Sequence, residues 1–246
     1  PGTYDACLHF AARPGVRPSL SEPLVYFQDN SLVTATLLEF LRQRDIRAFL
    51  NASSSSVYGP DNSGHFHEVR SRIAPASPFG QSKRAAERMA ETYHRNYGFS
   101  VLNLRLFSVY GPRMRPDLAL RIFADRQRDY TFIDDIVRGI ELGLDWLIAH
   151  PREMQTINLG GGTPVTLLRV VELLAREAGL PASISFQDEQ AGELQFTGAD
   201  TNRAQQILGF RAETKIDEGI RQFYQWYRNQ ILPTKVKNSI NDTFYT

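Results

Sequence analysis

The N-terminal part of the chain alternates short apolar runs with longer amphipathic stretches. Apolar runs at residues 5–12, 46–53 and 100–107 predict buried strands. Residues 24–44 and 79–98 place apolar side chains at helical spacing, and Gly98 suits a left-handed helix end. Apolar strands that alternate with helices predict an α/β fold with a doubly wound parallel sheet, covered on both faces and joined by right-handed crossovers.

After residue 112 the pattern changes, which predicts a smaller α/β lobe over residues 113–246. A helix at 134–150, a strand at 156–159 and amphipathic helices at 167–178 and 216–230 are expected there. Residues 13–19 and 60–76 are rich in proline, glycine and polar residues, and both predict loops.

Several short polar or small-residue segments follow the predicted strands. Ligands of open parallel sheets bind beyond the carboxyl ends of the strands. Ala11, Ala12, the four serines 53–56 and Ser108 fall at those ends. A serine run at a strand end is also common in loops, where the hydroxyl groups bond to the local backbone.

Composition narrows the functional classes. Apolar residues make up 42% of the 246 residues, and 28 basic side chains balance 27 acidic ones, for a net charge of +1. A nucleic-acid or membrane surface needs a basic stripe, so neither partner is expected. Cys7 is the single cysteine, and the sequence shows no signal peptide and no apolar run of membrane-spanning length. We therefore expect a cytoplasmic protein without an intrachain disulfide.

The most specific stretch is Ser-Pro-Phe-Gly-Gln-Ser-Lys at residues 77–83. It opens the second long helix and puts Phe79 and Lys83 on one face, four residues apart. Further motifs come in a fixed order along the chain: His-Phe-Ala-Ala (9–12), Arg-Pro-Ser (17–19), Asn30, the serine run continuing into Val-Tyr-Gly (53–59), Arg-Leu-Phe-Ser-Val-Tyr-Gly-Pro-Arg (105–113) and Arg-Asp-Tyr-Thr-Phe (128–132).

This series, over residues 1 to about 230, resembles the NAD-dependent epimerase/dehydratase family, the extended short-chain dehydrogenase/reductases that act on nucleotide sugars. Within it, Gly-Val-Arg-x-Ser (15–19) and Gly-Pro-Arg-x-Arg-Pro (111–116) look most like UDP-glucuronate 4-epimerases. The resemblance implies a Rossmann-type NAD-binding domain at residues 1–112 and a mainly substrate-binding lobe at 113–246. It also implies a homodimer through the helices at 24–44 and 79–97.

The implied reaction interconverts UDP-glucuronate and UDP-galacturonate by oxidation and reduction at C4. By the resemblance, Ser54 bonds the C4 oxygen, position 79 is the acid/base, and Lys83 holds the nicotinamide ribose. The implied contacts with NAD are made by Phe10, Ala11, Ala12, Asn30, Lys83, Leu106 and Val109. The implied contacts with the UDP-sugar are made by Arg17, Ser54, Ser55, Ser56, Ser108, Arg115, Arg128, Gln190 and Glu193.

Ser55 and Ser56 discriminate between the reactions of the family. The related dehydratases carry Asp-Glu at these two positions, and the decarboxylases carry a Glu at the second. Two serines offer neutral hydroxyl groups to a sugar carboxylate, and the resemblance adds Ser108 and Arg115 to that carboxylate site. We therefore expect epimerisation, with another reaction of the family as the alternative.

Other candidates carry less weight. Glu193 stands where the family usually has Asp, and Arg128 alone could be a surface arginine. His65 and His67 form a His-x-His without a third ligand, so no metal site is expected. Residues 160–162 are three glycines in the wrong pattern for a dinucleotide loop, and they predict a turn.

The sequence departs from the family in three ways. It contains neither the family's first strand nor the Gly-x-x-Gly-x-x-Gly turn that follows that strand, it lacks a uracil-binding segment near residues 125–126, and Phe79 replaces the family's tyrosine. We expect that the sequence omits part of a longer chain and that Phe79 is a deliberate change that traps a ligand. The alternatives are a non-catalytic nucleotide-sugar-binding paralogue and a partner-binding module in which a partner supplies the missing strand.

Overall fold

A computed structural model describes residues 4–60, 64–114, 126–182 and 194–232. Its elements are, in chain order, β1 (Ala6–His9), α1 (Val16–Ser21), α2 (Pro23–Tyr26), α3 (Val33–Gln43), β2 (Ala48–Ser54), α4 (Pro78–Tyr97), β3 (Ser100–Leu106), β4 (Ser108–Tyr110), β5 (Gln127–Arg128), β6 (Tyr130–Phe132), α5 (Ile133–Ala149), β7 (Met154–Leu159), β8 (Val165–Thr166), α6 (Leu167–Ala178), β9 (Phe196–Thr197), α7 (Asn202–Leu208) and α8 (Ile216–Gln230).

The predicted parallel sheet is confirmed. Its four described strands lie in the order β1-β2-β3-β7, and every neighbouring pair is parallel. The register places Ser54 beside Leu106, and Leu106 beside Leu159. The carboxyl ends of β2, β3 and β7 therefore meet at one edge, where a ligand of such a sheet binds.

The two faces of this sheet are packed differently. On one face α5 and α7 cover an apolar layer that includes Leu50, Leu104 and Ile157. On the other face α3 and α4 cover a layer that is apolar near the start of β2 and β3 and contains buried polar side chains towards their carboxyl ends. Asn51 donates to Asn103 there at 2.9 Å, and Ser53 and Arg105 lie nearer the carboxyl end.

Helix α4 begins and ends where its sequence signals stand. Ser77 caps it by accepting the Gly80 N–H at 3.2 Å, and Pro78 occupies the first helical position. Gly98 ends the helix with φ 68° in the left-handed region, as predicted. The ends of α4 are thus set by local chemistry.

The helix predicted at residues 24–44 is formed by α2, a π-helical segment Phe27–Leu32, and α3. The prediction of a loop through residues 13–19 was wrong, because α1 begins at Val16. Gly15, with φ 112°, turns the chain into this helix, and Pro18 is tolerated because it lies in the first turn. Helix α7 was not predicted at all.

The C-terminal part of the chain contributes to both halves of the fold. Strand β7 completes the described sheet, and α5 and α7 pack on it. A second apolar cluster joins α6 and α8 to Tyr110 and Phe132. The boundary at residue 112 stays a prediction, and the substrate lobe would consist mainly of the elements around this second cluster. None of the described helices has the length and apolar composition needed to cross a membrane.

Candidate active site

The serine run forms the end of β2 and the turn that follows it. Ser54 caps a 3₁₀ turn at Ser55–Val57, and its Oγ accepts the Ser56 N–H at 3.2 Å. A Cβ placed on Gly80 would lie 2.5 Å from the Ser56 carbonyl oxygen, so only glycine allows this approach. The first turn of α4 is thereby brought against the serines, as the predicted site requires.

Phe79 lies beside this contact and is 9% exposed. The Phe79 and Tyr26 rings meet edge to face, with centroids 6.2 Å apart. The Tyr26 hydroxyl donates to the Pro14 carbonyl at 2.8 Å. The Phe79 ring is held by packing, and it has no group that can carry a proton.

Lys83 lies one helical turn beyond Phe79 and is 7% exposed. Its ammonium donates to the Ala52 carbonyl at 2.7 Å, two residues before Ser54. Burial lowers the pKa of Lys83 to about 8, although the negative charge of Glu87 acts in the opposite direction. Ser54, Phe79 and Lys83 are thus brought together at the ends of β2 and the start of α4.

A buried ionic network that the sequence did not suggest lies beneath these residues. Glu87 accepts the Ser53 hydroxyl at 2.6 Å and binds Arg105 through two hydrogen bonds of 2.8 and 2.9 Å. It also accepts from Arg84 at 2.6 Å. Burial alone would raise the pKa of Glu87, but the hydrogen bonds and charge of these donors lower it. The sequence signal that could have indicated this network is Arg105, a charged residue within a mostly apolar strand.

Asn30 and His9 lie on the β1 side of the site. The Asn30 amide accepts the Arg13 N–H at 2.7 Å and donates to the Arg13 carbonyl and the Ser82 hydroxyl. His9 is bonded through Nε2 to the Thr34 hydroxyl, and burial and the charge of Lys83 lower the pKa of His9 to about 4. Asn30 therefore joins the segment after β1 to α4, and its contact with NAD stays a prediction.

The remaining predicted cofactor residues border the strand ends. Phe10 and Ala11 are exposed just after β1, and Ala12 is partly buried. Leu106 ends β3 and Val109 lies in β4, and both are partly exposed. All five lie at or just beyond the carboxyl ends of β1 and β3, and their contacts with NAD stay predictions.

The predicted substrate residues are more widely spread. Arg17 lies in α1, and Ser108 begins β4, where its N–H donates to the Asp129 carbonyl at 3.0 Å. Arg128 lies in β5 and donates to the carbonyls of Gln127 and Leu194. Three further predicted residues lie outside the described residues: Arg115, Gln190 and Glu193.

Asp129 is a second residue that the sequence did not single out. Its buried carboxylate accepts the N–H groups of Gly161 at 2.7 Å and of Gly162 and Ala199 at 2.9 Å. The Thr131 hydroxyl donates to it at 3.3 Å. One carboxylate therefore joins the β5–β6 connection to the three-glycine segment and to Ala199, two residues beyond β9.

The two histidines of the His-x-His pair already have protein contacts. His65 Nε2 lies 3.1 Å from the Gly162 carbonyl oxygen, and His67 Nδ1 accepts the N–H groups of Val69 and Arg70. Within the described ranges, no group of three His, Cys, Asp or Glu side chains could hold a metal ion.

The residues present fit one end of NAD. The Lys83 ammonium has three N–H donors, and in the described part of the chain it has a hydrogen bond only to Ala52. Ribose hydroxyl groups are suitable acceptors for the others, so Lys83 fits the nicotinamide ribose. For the pyrophosphate, the sequence contains no glycine-rich turn of the dinucleotide-binding type.

Comparison with known proteins gives consistent relatives. The NAD dependent epimerase/dehydratase family matches residues 2–160. A UDP-glucuronate 4-epimerase of Thermodesulfobacterium geofontis is 35% identical over 245 residues, covering 93% of this chain and 74% of the relative.

Two solved structures have the same fold. MoeE5 in complex with UDP-glucuronic acid and NAD has a TM-score of 0.85 and 34% identity, over 92% of this chain and 80% of MoeE5. A Tyr-to-Phe mutant of the Bacillus cereus UDP-glucuronic acid 4-epimerase, in complex with UDP-4-deoxy-4-fluoro-glucuronic acid and NAD, has a TM-score of 0.85 and 32% identity, over 92% and 76% of the two chains. With its fold, its ordered motifs and these relatives, the chain belongs to the NAD dependent epimerase/dehydratase family.

Proposed function

We propose that the chain has the frame of an NAD-dependent UDP-sugar 4-epimerase whose substrates are UDP-glucuronate and UDP-galacturonate. The observation that carries the proposal is the buried Lys83 ammonium, which is hydrogen-bonded beside Ser54 and lies one turn from position 79. The relatives named for UDP-glucuronate 4-epimerisation, and the complexes with UDP-glucuronic acid and NAD, support it.

NAD, when bound, would supply reversible hydride transfer at C4 of the sugar. The roles of the chain are to bind, orient and hold protons. Lys83 holds the nicotinamide ribose. The further proposed contacts of NAD are Phe10, Ala11, Ala12, Asn30, Leu106 and Val109. Ser54 offers its hydroxyl to the C4 oxygen of the sugar.

Phe79 makes the proposed enzyme catalytically impaired. Removing the C4 hydroxyl proton requires a group of suitable pKa within hydrogen-bond reach, and a benzyl ring offers none. A phenol at this position would have its pKa lowered from about 10 by the neighbouring ammonium. Phe79 packs on Tyr26 through its ring. This contact supports the proposal that position 79 keeps the aromatic ring of the family's tyrosine and has lost only the hydroxyl group.

The serines favour a substrate with a carboxylate and disfavour dehydration and decarboxylation. Ser55 and Ser56 are partly exposed at the carboxyl end of β2 and carry no proton-transfer group. The proposed carboxylate site adds Ser108 and Arg115. Arg128 is proposed to contact the diphosphate, Gln190 and Glu193 the ribose and phosphate, and Arg17 is a further proposed contact of the UDP-sugar. A 4-keto uronic acid loses CO₂ readily, and a firmly held carboxylate protects it.

Ligand binding tests the proposal without turnover. With saturating NAD, we expect calorimetry to show UDP-glucuronate binding about tenfold or more tightly than UDP-glucose, because only the former has a carboxylate for charge-assisted hydrogen bonds. In Ser56→Glu the added carboxylate should weaken UDP-glucuronate binding by a similar factor and change UDP-glucose binding little. Equal affinities for the two sugars in the parent chain would contradict the assigned substrate.

Phe79 also favours a second candidate function, a non-catalytic nucleotide-sugar-binding protein. A non-catalytic binding protein would give the same calorimetry results for UDP-glucuronate and UDP-glucose as the impaired epimerase. The two functions differ only after a tyrosine is restored at position 79, because the binding protein would then still show no turnover.

We also propose a homodimer through the helices of residues 24–44 and 79–97. The outer surfaces of these helices expose apolar side chains, with Leu32 62% and Phe40 45% exposed and Met89 and Tyr97 on α4. We expect sedimentation equilibrium to give a dimer for the parent and a monomer for Leu32→Glu/Phe40→Glu. A monomeric parent would contradict the proposed homodimer. Glu141→Gln, an exposed change on α5, is the control and should leave the mass unchanged.

A further inference from the structure

We propose that Glu87 is a positioning residue of this site, which fixes the ends of β2 and β3 against α4 and supplies the negative charge beside Lys83. The catalytic importance of this role rests on the proposed function. The contacts that support it are made between residues of this chain and involve no ligand.

The docking of α4 on β2 is carried by two successive turns of the helix. Lys83 donates to the Ala52 carbonyl, and Glu87, one turn later, accepts the hydroxyl of the next strand residue, Ser53. The residue after Ser53 is Ser54. The two anchors therefore set the distance and direction between Ser54 and the helix that carries Phe79.

Glu87 holds β3 in the same way. Both of its oxygens bind the Arg105 guanidinium, which places the Arg105 backbone, and with it Leu106, against α4. Side-chain exposures of 1% for Glu87 and 3% for Arg105 show that this pair is removed from water. Its hydrogen-bond geometry is therefore rigid, because a displaced partner would leave an uncompensated buried charge.

Glu87 is also the acid that offsets the burial of Lys83. The charged or titratable groups that act on the two residues, among those described, are His9 on β1, Arg105 on β3 and Arg84 on α4. Tyr26 on α2 packs on Phe79, one turn from Lys83. Glu68, Glu91 and Arg203 line the same cavity as Glu87 and Arg105. His9 stays neutral because burial and Lys83 hold its pKa at about 4. Burial lowers the pKa of Lys83, and Glu87 is the charge that opposes the decrease.

The small number of lysines allows the effect of the Glu87 charge on Lys83 to be measured by NMR. The sequence contains four: Lys83, Lys215, Lys235 and Lys237. In the ligand-free chain labelled with [ε-¹³C]lysine, the resonance that is lost in Lys83→Met identifies Lys83, and a pH titration gives its midpoint. We expect the midpoint in Glu87→Gln to lie roughly one pH unit or more below the parent's, a tenfold weaker proton affinity.

Glu91→Gln is the matched control. Glu91 lies one turn further along α4 and, like Glu87, pairs with two arginines, Arg88 and Arg95. Its loss should leave the Lys83 midpoint unchanged, because its charge is not adjacent to Lys83. An unchanged midpoint in Glu87→Gln, or an equal decrease in Glu91→Gln, would overturn the proposal.

Glu87→Gln could fail to fold, so a second variant removes the charges of both Glu87 and Arg105. Glu87→Gln leaves Arg105 buried without its partner, whereas Glu87→Gln/Arg105→Met removes the whole pair, which proteins often tolerate. The Lys83 midpoint should decrease in this variant as well, and a parent-like midpoint would refute the role of Glu87. Since no ligand is present in these titrations, the outcome is independent of whether the chain binds NAD or a UDP-sugar.

Discussion

Replacing Phe79 with tyrosine is expected to raise the weak epimerase activity of the parent by several orders of magnitude. With NAD in excess, Phe79→Tyr should convert UDP-glucuronate to UDP-galacturonate at a rate about 10²–10⁴ times that of the parent, the range that a positioned acid/base contributes. The phenol would extend a ring that already packs on Tyr26, one turn from the Lys83 ammonium and beside the serine run. Chromatographic separation of the two UDP-sugars measures the conversion.

Two further variants make this result specific. Phe79→Tyr/Lys83→Met should return to the parent rate, since the phenol would lose the charge that lowers its pKa and the cofactor its ribose contact. Phe79→Leu keeps an apolar side chain and should stay inactive. If Phe79→Tyr binds NAD and UDP-glucuronate yet leaves the sugar unchanged, the non-catalytic function is correct. Turnover of a different nucleotide sugar alone would refute the substrate assignment.

Asp129→Asn should cause a large loss of stability. The amide would turn an NH₂ group towards backbone N–H donors that now bond to a carboxylate oxygen, and a buried charge-assisted network would be broken. We expect a decrease of about 3–5 kcal/mol in the free energy of unfolding, measured by urea denaturation. Roughly 6–20 °C should be lost from Tm for a chain of this size.

Thr131→Val is the control that distinguishes the effect of the Asp129 carboxylate from the effect of a neighbouring hydrogen-bond donor. It removes the hydroxyl donor at 3.3 Å from the carboxylate and keeps the three backbone donors. A cost of about 1 kcal/mol is expected for this weaker contact. Comparable losses in the two variants would mean that the Asp129 carboxylate does not organise the three-glycine segment.

Elements with strong local signals could be predicted from the sequence. The capping serine, the proline at the first position and the terminal glycine define α4, and the apolar periodicity of α6 and α8 gave their bounds. Helix α7 was missed because its seven residues make only about two turns, which is too few to show a helical repeat of apolar positions. The strands of two or three residues depend on tertiary pairing and leave little trace in the local sequence.

In the candidate site, ordered motifs identified Ser54, Phe79 and Lys83, but they did not identify the residues that hold them. Glu87 lies among Arg and Ala residues in a helix, where acidic residues are usually exposed, and only its contact with Arg105 shows that it is buried. Asp129 is hidden in the same way between Arg128 and Tyr130. The partners of such carboxylates lie far away in sequence, and no local pattern encodes them.

The polar layer beneath α4 has a consequence for folding specificity. A layer of Leu and Val alone would accept a helix in several positions along its axis, since apolar contacts have little direction. Sliding α4 by one turn, about 5.4 Å, would move Glu87 away from Ser53 and Arg105 and leave both charges unpaired. The ionic pair therefore excludes misregistered docking, and a chain that has buried it has already placed Lys83 at Ala52.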